Sequence, residues 1–112
     1  MKLLPSTESN HSWVLASSPA KALVRCARVR APRSGRVIEC ETDQPALQVY
    51  TANKLTGAQV GGDGSHAYRQ GDAFTLETQG FADAPNQPAF PSTVLRPGET
   101  FRSTTIYRFT TE

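Results

Sequence analysis

Residues 76–91 read LETQGFADAPNQPAFP, a short alternating segment that runs straight into a loop rich in Pro, Asn and Asp. The alternation is that of a β-strand. Phe74, Leu76 and Thr78 point to one face; Thr75, Glu77 and Gln79 point to the other. Glu77 lies between a hydroxyl and an amide on its own face, a setting in which a carboxylate takes a proton or grips a hydroxyl-rich ligand. A lone Glu on a strand is more often a plain solvated residue, so a role for Glu77 depends on the rest of the chain. The residues behind it, stiffened by Pro85, Pro88 and Pro91, read as a rigid loop rather than a linker.

The same period-2 pattern recurs outward from this segment. Ser12 to Ala16 reads as a short strand, and Lys21 to Arg30 as a second, with Leu23, Ala27 and Val29 on one face. Ala31–Gly35 is a turn, because Pro32 fixes one dihedral and Gly35 permits a positive φ. Arg36 to Thr42 returns, giving a β-hairpin. A register symmetric about Arg33 sets Cys26 across from Cys40. Cβ atoms of such pairs lie ~4.5–5.5 Å apart, slightly far for an unstrained disulfide, so neighbouring reduced thiols are expected. Ala46 to Thr51 is a further strand, with Leu47 and Val49 opposing Gln48 and Tyr50. Thr56 to Ser65 reads as a glycine-rich loop; it lacks the spacing of a phosphate loop, and no helical pattern follows it. Tyr68 to Thr78 carries Glu77, Leu95–Glu99 is a tight turn, and Thr100 to Thr111 alternates as one long strand. No segment holds a 3.6-residue period and no repeat is evident, so the chain reads as all-β with mostly antiparallel sheets.

Composition agrees. The 112 residues bound the chain to one domain at most. Apolar residues make up 38%, while Gly and Pro number 8 each, which favours short strands and many turns. No apolar run reaches the ~18 residues of a membrane span, and MKLLPSTES is cut too short by Pro5 for a signal peptide. The absence of an export signal suggests a cytoplasmic protein. The net charge of +2 implies no polyanionic partner. Lys21, Arg25, Arg28, Arg30, Arg33 and Arg36 cluster, but Glu39, Glu41 and Asp43 follow at once, which predicts cross-strand ion pairs. The basic run has no interleaved aromatics for stacking on nucleic acid. Cys26 and Cys40 form no CxxC, and with His11 and His66 as the only histidines a metal site has no support. No cofactor motif is present.

Four strings in order carry a resemblance to a known family: NHSWVL at 10–15, SGRVIECETDQPALQVYTAN at 34–53, LETQGFADAPNQPAFP at 76–91 and LRPGETFRSTTIYRF at 95–109. Together they resemble the C-terminal segment of the aldose 1-epimerases, or galactose mutarotases. The resemblance runs from about Asn10 to the end, which divides the chain into an irregular segment 1–9 and a C-terminal epimerase-like portion 10–112. It implies a mostly antiparallel β-sandwich, the C-terminal part of a galactose-mutarotase-like supersandwich.

The resemblance also implies roles. Glu77 matches the catalytic base, Gln48 a substrate-contacting amide, and Asn10 the position of an Asp that binds sugar hydroxyls; Tyr50 completes the expected sugar contacts. Asn at position 10 keeps an acceptor but removes a charge. Ala52 stands where the family commonly has Gly. The implied reaction is the interconversion of the α and β anomers of a hexose such as galactose or glucose. A base takes the anomeric proton, an acid protonates the ring oxygen, and the ring reopens and recloses. A carboxylate with a reference pKa of ~4.3 is a weak base for this work, so burial beside substrate must help Glu77.

Family members are considerably longer. Their acid His, a second active-site His and a sugar-binding Arg lie upstream of the matched strings. His11 belongs to the first string rather than to the acid, and His66 reads as an exposed loop histidine. The chain therefore looks truncated and a poor catalyst alone, completed by a missing N-terminal segment or a self-associated copy. Two other readings follow: a non-catalytic carbohydrate-binding fragment, and a remnant whose strand edges and apolar faces invite aggregation.

Overall fold

A computed structural model describes residues 9–15 and 22–112. Among the described residues there are eight strands: β1 Asn10–Val14, β2 Val24–Arg30, β3 Arg36–Thr42, β4 Ala46–Tyr50, β5 Thr56–Val60, β6 Ala67–Arg69, β7 Thr75–Gln79 and β8 Thr105–Thr111. Among the described residues the one helical element is a single 3₁₀ turn at Ala84–Asn86. The strands form two three-stranded sheets, ordered β1-β4-β7 and β2-β3-β8, and a separate β5-β6 hairpin. Every pairing is antiparallel. The chain is all-β, with antiparallel sheets of the kind a sandwich uses. None of its described helices is long and apolar enough to cross a membrane.

The register sorts the side chains. In the β1-β4-β7 sheet, Asn10 pairs with Tyr50, Ser12 with Gln48, Gln48 with Glu77 and Ala46 with Gln79. Residues opposite one another share a face, so Asn10, Gln48, Tyr50, Glu77 and Gln79 project together. His11, Trp13, Leu47, Val49, Leu76 and Thr78 take the other face. That second face looks across a cleft of about 560 Å³ whose far wall includes Cys26, Ala27 and Val29 of β2. Two hydrogen bonds span the sheets: Tyr107 Oη donates to the Leu76 carbonyl at 2.6 Å, and the Thr78 and Thr105 hydroxyls lie 2.6 Å apart.

The β2-β3-β8 sheet turns a charged face to solvent, as the mixed charge pattern predicts. Arg25 and Arg28 reach Glu39 at 3.1 and 3.2 Å, and Arg108 reaches Glu41 at 2.5 Å. Such exposed pairs add little to stability, because water and salt screen them.

The hairpin register differs from symmetry about Arg33 by a bulge. Arg25 pairs with Glu41, but Ala27, not Cys26, lies opposite Cys40. The extra residue at Cys26 lets Arg25 and Arg28 share one face while Ala27 and Val29 keep the other. Both cysteines are free, as expected of neighbouring reduced thiols. The Cys26 thiol donates to the Cys40 carbonyl at 3.3 Å.

Burial, with a side-chain hydrogen bond to Cys40 second, pushes the Cys26 thiol up to about 12. A folded-state pKa above the unfolded value stabilises the fold below that unfolded value, 9.0, and the contribution is lost as pH rises from there through about 12. Urea unfolding at pH 8.5 and 10.5 is expected to show a loss of stability in the wild type that Cys26→Ala lacks; equal losses in both proteins would refute the assignment.

Further boundaries differ from the sequence reading. The glycine-rich stretch begins with β5, and its hairpin with β6 has an irregular register between Thr56–Arg69 and Val60–Ala67. The run from Tyr68 to Thr78 breaks in two, because Gly71 turns with φ 78° and the Asp72 carboxylate accepts the Arg69 amide at 2.9 Å. The last strand starts at Thr105 rather than Thr100, because Asp43 captures the preceding residues: its Oδ1 accepts from Ser103 Oγ at 2.8 Å and from the Thr104 amide at 3.1 Å. Leu23 precedes β2 rather than sharing its inner face. Ala16, Lys21 and residues 1–8 of the expected N-terminal segment fall outside the described residues.

Gly35 shows why the 31–36 turn takes the form it does. Its φ is +69°, and a Cβ there would stand 2.3 Å from the carbonyl oxygen of Glu112. Gly35→Ala is expected to cost at least ~1 kcal/mol and to loosen the end of β8, read as a lower melting temperature and faster amide exchange at Thr110–Glu112.

The core is small. Val37, Cys40, Ala46, Leu47, Ala52 and Ala84 are its buried apolar residues, whereas Trp13, Phe101 and Phe109 are 56%, 69% and 75% exposed. The accessible surface is 8653 Å², against about 6,100 Å² for a compact monomer of this size. The radius of gyration is 16.8 Å, against about 13 Å for a compact domain. The sheets thus leave much apolar surface without a covering layer.

Candidate active site

The polar face of the β1-β4-β7 sheet floors an open cavity of about 370 Å³, lined by Asn10, Gln48, Tyr50, Lys54, Glu77 and Gln79. This falls within the size range of small-ligand sites. All four residues expected from the sequence to contact substrate, Glu77, Gln48, Asn10 and Tyr50, come together here. The reason is register: three adjacent antiparallel strands each contribute alternate residues, and β4 in the centre holds both Gln48 and Tyr50.

The side chains are held in place from within the site. Gln48 Nε2 donates to Asn10 Oδ1 at 2.6 Å, which leaves the Gln48 carbonyl and the Asn10 amide nitrogen for a ligand. Thr75 Oγ1 donates to Glu77 Oε1 at 2.6 Å. Glu77 is exposed, so the burial expected to strengthen it as a base is not provided by this chain's own side chains. The Tyr50 hydroxyl accepts the Lys54 backbone amide at 3.0 Å, so its own proton is free to donate. Between them, Ala52 is buried with φ 53°, a left-handed conformation costing an L-residue ~1–2 kcal/mol; the glycine common at this position would adopt it freely.

Lys54 and Gln79 join the site from different signals. Gln79 follows the same alternation as Glu77 and was legible in it. Lys54 lies beyond the end of β4, and only the left-handed turn at Ala52 folds it back over the strand, which no periodicity reports.

Neither histidine lines the cavity. His11 occupies the opposite face of β1, its Nδ1 3.3 Å from Ser9 Oγ, and His66 sits in the turn after β5 with Nδ1 2.5 Å from Ser65 Oγ. Among the described residues no group of three or more His, Cys, Asp or Glu could hold a metal ion.

The loop after β7 is tied together by its own side chains. Asp83 adopts φ 61° and its carboxylate accepts from Asn86 Nδ2 at 2.5 Å and Gln87 Nε2 at 3.0 Å. Those bonds, Gln87 first, hold the Asp83 carboxyl below its ordinary range. Phe81 and Phe90 close the loop edge to face, with ring centroids 5.1 Å apart.

A model of the aldose 1-epimerase family matches residues 1–108. The chain belongs to the aldose 1-epimerase family. It is 45% identical over 100 residues to a galactose mutarotase of Homo sapiens and 44% to that of Rattus norvegicus, in each case over 89% of this chain and 28% of the relative. It is 42% identical over 73 residues to an aldose 1-epimerase of Escherichia coli K12, over 63% of this chain and 20% of that protein. The chain thus spans less than a third of the length of these relatives. The cavity described above lies wholly within the residues that the family model matches.

Proposed function

We propose that this chain carries the base-bearing wall of a mutarotase site and acts on the anomeric carbon of a hexose such as galactose or glucose. The observation that supports this most is the pairing of Gln48 with Glu77 across β4 and β7, with Asn10 and Tyr50 on the same polar face. Glu77 takes the proton of the anomeric hydroxyl; the oxygen's electrons form the aldehyde as the bond from C1 to the ring oxygen breaks. A donor protonates the ring oxygen. The aldehyde turns about its bond to C2, the hydroxyl attacks the other face, and both protons return. Gln48 and Asn10 hold ring hydroxyls and fix the sugar relative to Glu77.

Tyr50 and Lys54 are the lining residues with an ionisable proton to give. The family's acid histidine has no counterpart in this cavity, so catalysis by the chain alone is weak. The apolar faces left open are where a further segment of this fold, or a second copy, would pack. The test is polarimetry of fresh α-D-galactose and α-D-glucose with the purified chain. A rate above the spontaneous one supports the reading; the spontaneous rate from a folded sample defeats catalysis by this chain.

The openness of the cavity and the exposure of Glu77 favour one second reading, sugar binding without turnover. It predicts galactose-dependent amide shifts at Gln48 and Tyr50 with mutarotation at the spontaneous rate.

A further inference from the structure

We propose that Thr105 and Tyr107 of β8 are positioning residues for Glu77: each holds one of its two chain neighbours from behind, and together they fix where the carboxylate stands. The inference rests on the reading of Glu77 as the base and names what sets its position.

The bonds that carry it are the two that join the sheets. Tyr107 Oη donates to the Leu76 carbonyl at 2.6 Å, and the Thr105 and Thr78 hydroxyls lie 2.6 Å apart. Leu76 and Thr78 flank Glu77 in the sequence. The spacing matches on both strands. Thr105 and Tyr107 are two residues apart, as are Leu76 and Thr78, and a strand returns to the same face every second residue, about 6.6 Å along. Glu77 falls between the two bonds and points the opposite way, into the polar cavity.

β7 is the edge strand of its sheet, and among the described residues it pairs with β4 alone. The Glu77 carboxylate takes its bond from Thr75, a residue of the same strand, so it moves with β7. β8 is anchored better. Its seven residues pair in unbroken register with β3, and the Thr105 hydroxyl also lies 3.2 Å from that of Thr42, which is fully buried. A line of contacts thus runs from the core of one sheet to both sides of Glu77 in the other. A reacting group displaced by 1 Å can cost ~10²-fold in rate, whereas Gln48 and Asn10, on β4 and β1, keep their hold on a sugar.

The test is polarimetry of fresh α-D-galactose at saturating concentration, with affinity read from amide shifts. Tyr107→Phe and Thr105→Val each remove one hydroxyl. Each is expected to lower the added rate per folded molecule about tenfold and to leave galactose affinity within about twofold of wild type. Thr105→Ser keeps the hydroxyl and is expected to keep the rate. Tyr107 is 43% exposed, so Tyr107→Phe folds even where Thr105→Val does not. Val37→Ala opens a buried position on the face of β3 turned away from β7. It should lower the melting temperature and leave the rate per folded molecule unchanged; an equal loss of rate there makes the role of β8 merely structural and overturns the proposal. A wild-type rate in Tyr107→Phe, or affinity that falls in step with the rate, also overturns it and leaves the reading of Glu77 as base standing. A folded wild-type chain that runs at the spontaneous rate overturns both.

Discussion

Glu77→Gln removes the acceleration of mutarotation and leaves sugar binding in place. Glutamine matches glutamate in shape and keeps one acceptor oxygen, but it does not take up a proton near neutral pH. A positioned general base contributes ~10²–10⁴-fold, so whatever rate the chain adds to the spontaneous one falls to the background in the variant. Amide shifts on titration with galactose should still report binding, because Gln48 and Asn10 are untouched and their 2.6 Å bond does not involve position 77. Folding is no confounder, since Glu77 is exposed on the polar face and contributes nothing to the core. The split between rate and binding carries the information. A variant that binds but does not turn over identifies Glu77 as the base; one that still accelerates the reaction moves the base elsewhere; one that loses binding makes Glu77 a ligand-holding residue.

The part of the site on regular strands was legible in the sequence, and Lys54, on the turn after β4, was not. Alternation placed Thr75, Glu77 and Gln79 together, and Gln48 with Tyr50, because a strand leaves a side chain only two directions. What alternation does not contain is which strands are neighbours. The resemblance to the aldose 1-epimerases named Asn10, Gln48 and Glu77 as one set, and the pairing of β1 with β4 and of β4 with β7 supplies the physical reason.

Lys54 escaped because its place depends on a left-handed alanine. The cysteine register slipped by one residue for a related reason: a bulge at Cys26 keeps both the charged and the apolar face of β2 intact, and symmetric counting assumes that none occurs. The false extension of β8 came from Ser103 and Thr104, which alternate like a strand but bond to Asp43.

Leu47→Ala is expected to destabilise the chain by about 2–3 kcal/mol, the lower part of the range for a buried leucine. Leu47 is 3% exposed in β4, the central strand of its sheet. It also borders the open cleft between the sheets, so Trp13 and Leu76 can relax toward the space it leaves, which keeps the cost from the upper end. For a chain of this length that corresponds to a melting temperature lower by ~8–20 °C. The neighbouring substitution Gln48→Ala serves as the contrast. Gln48 points to the polar face of the same strand, where its amide bonds Asn10 and no core contact is lost, so its cost should stay within ~1 kcal/mol while sugar binding weakens. Thermal melts of the two variants therefore separate the faces of a single strand: Leu47 holds the sheet against the cleft, and Gln48 faces the ligand. Equal melting temperatures would mean that the apolar face of β4 does not carry the fold, and that the two-sided reading of this sheet is wrong.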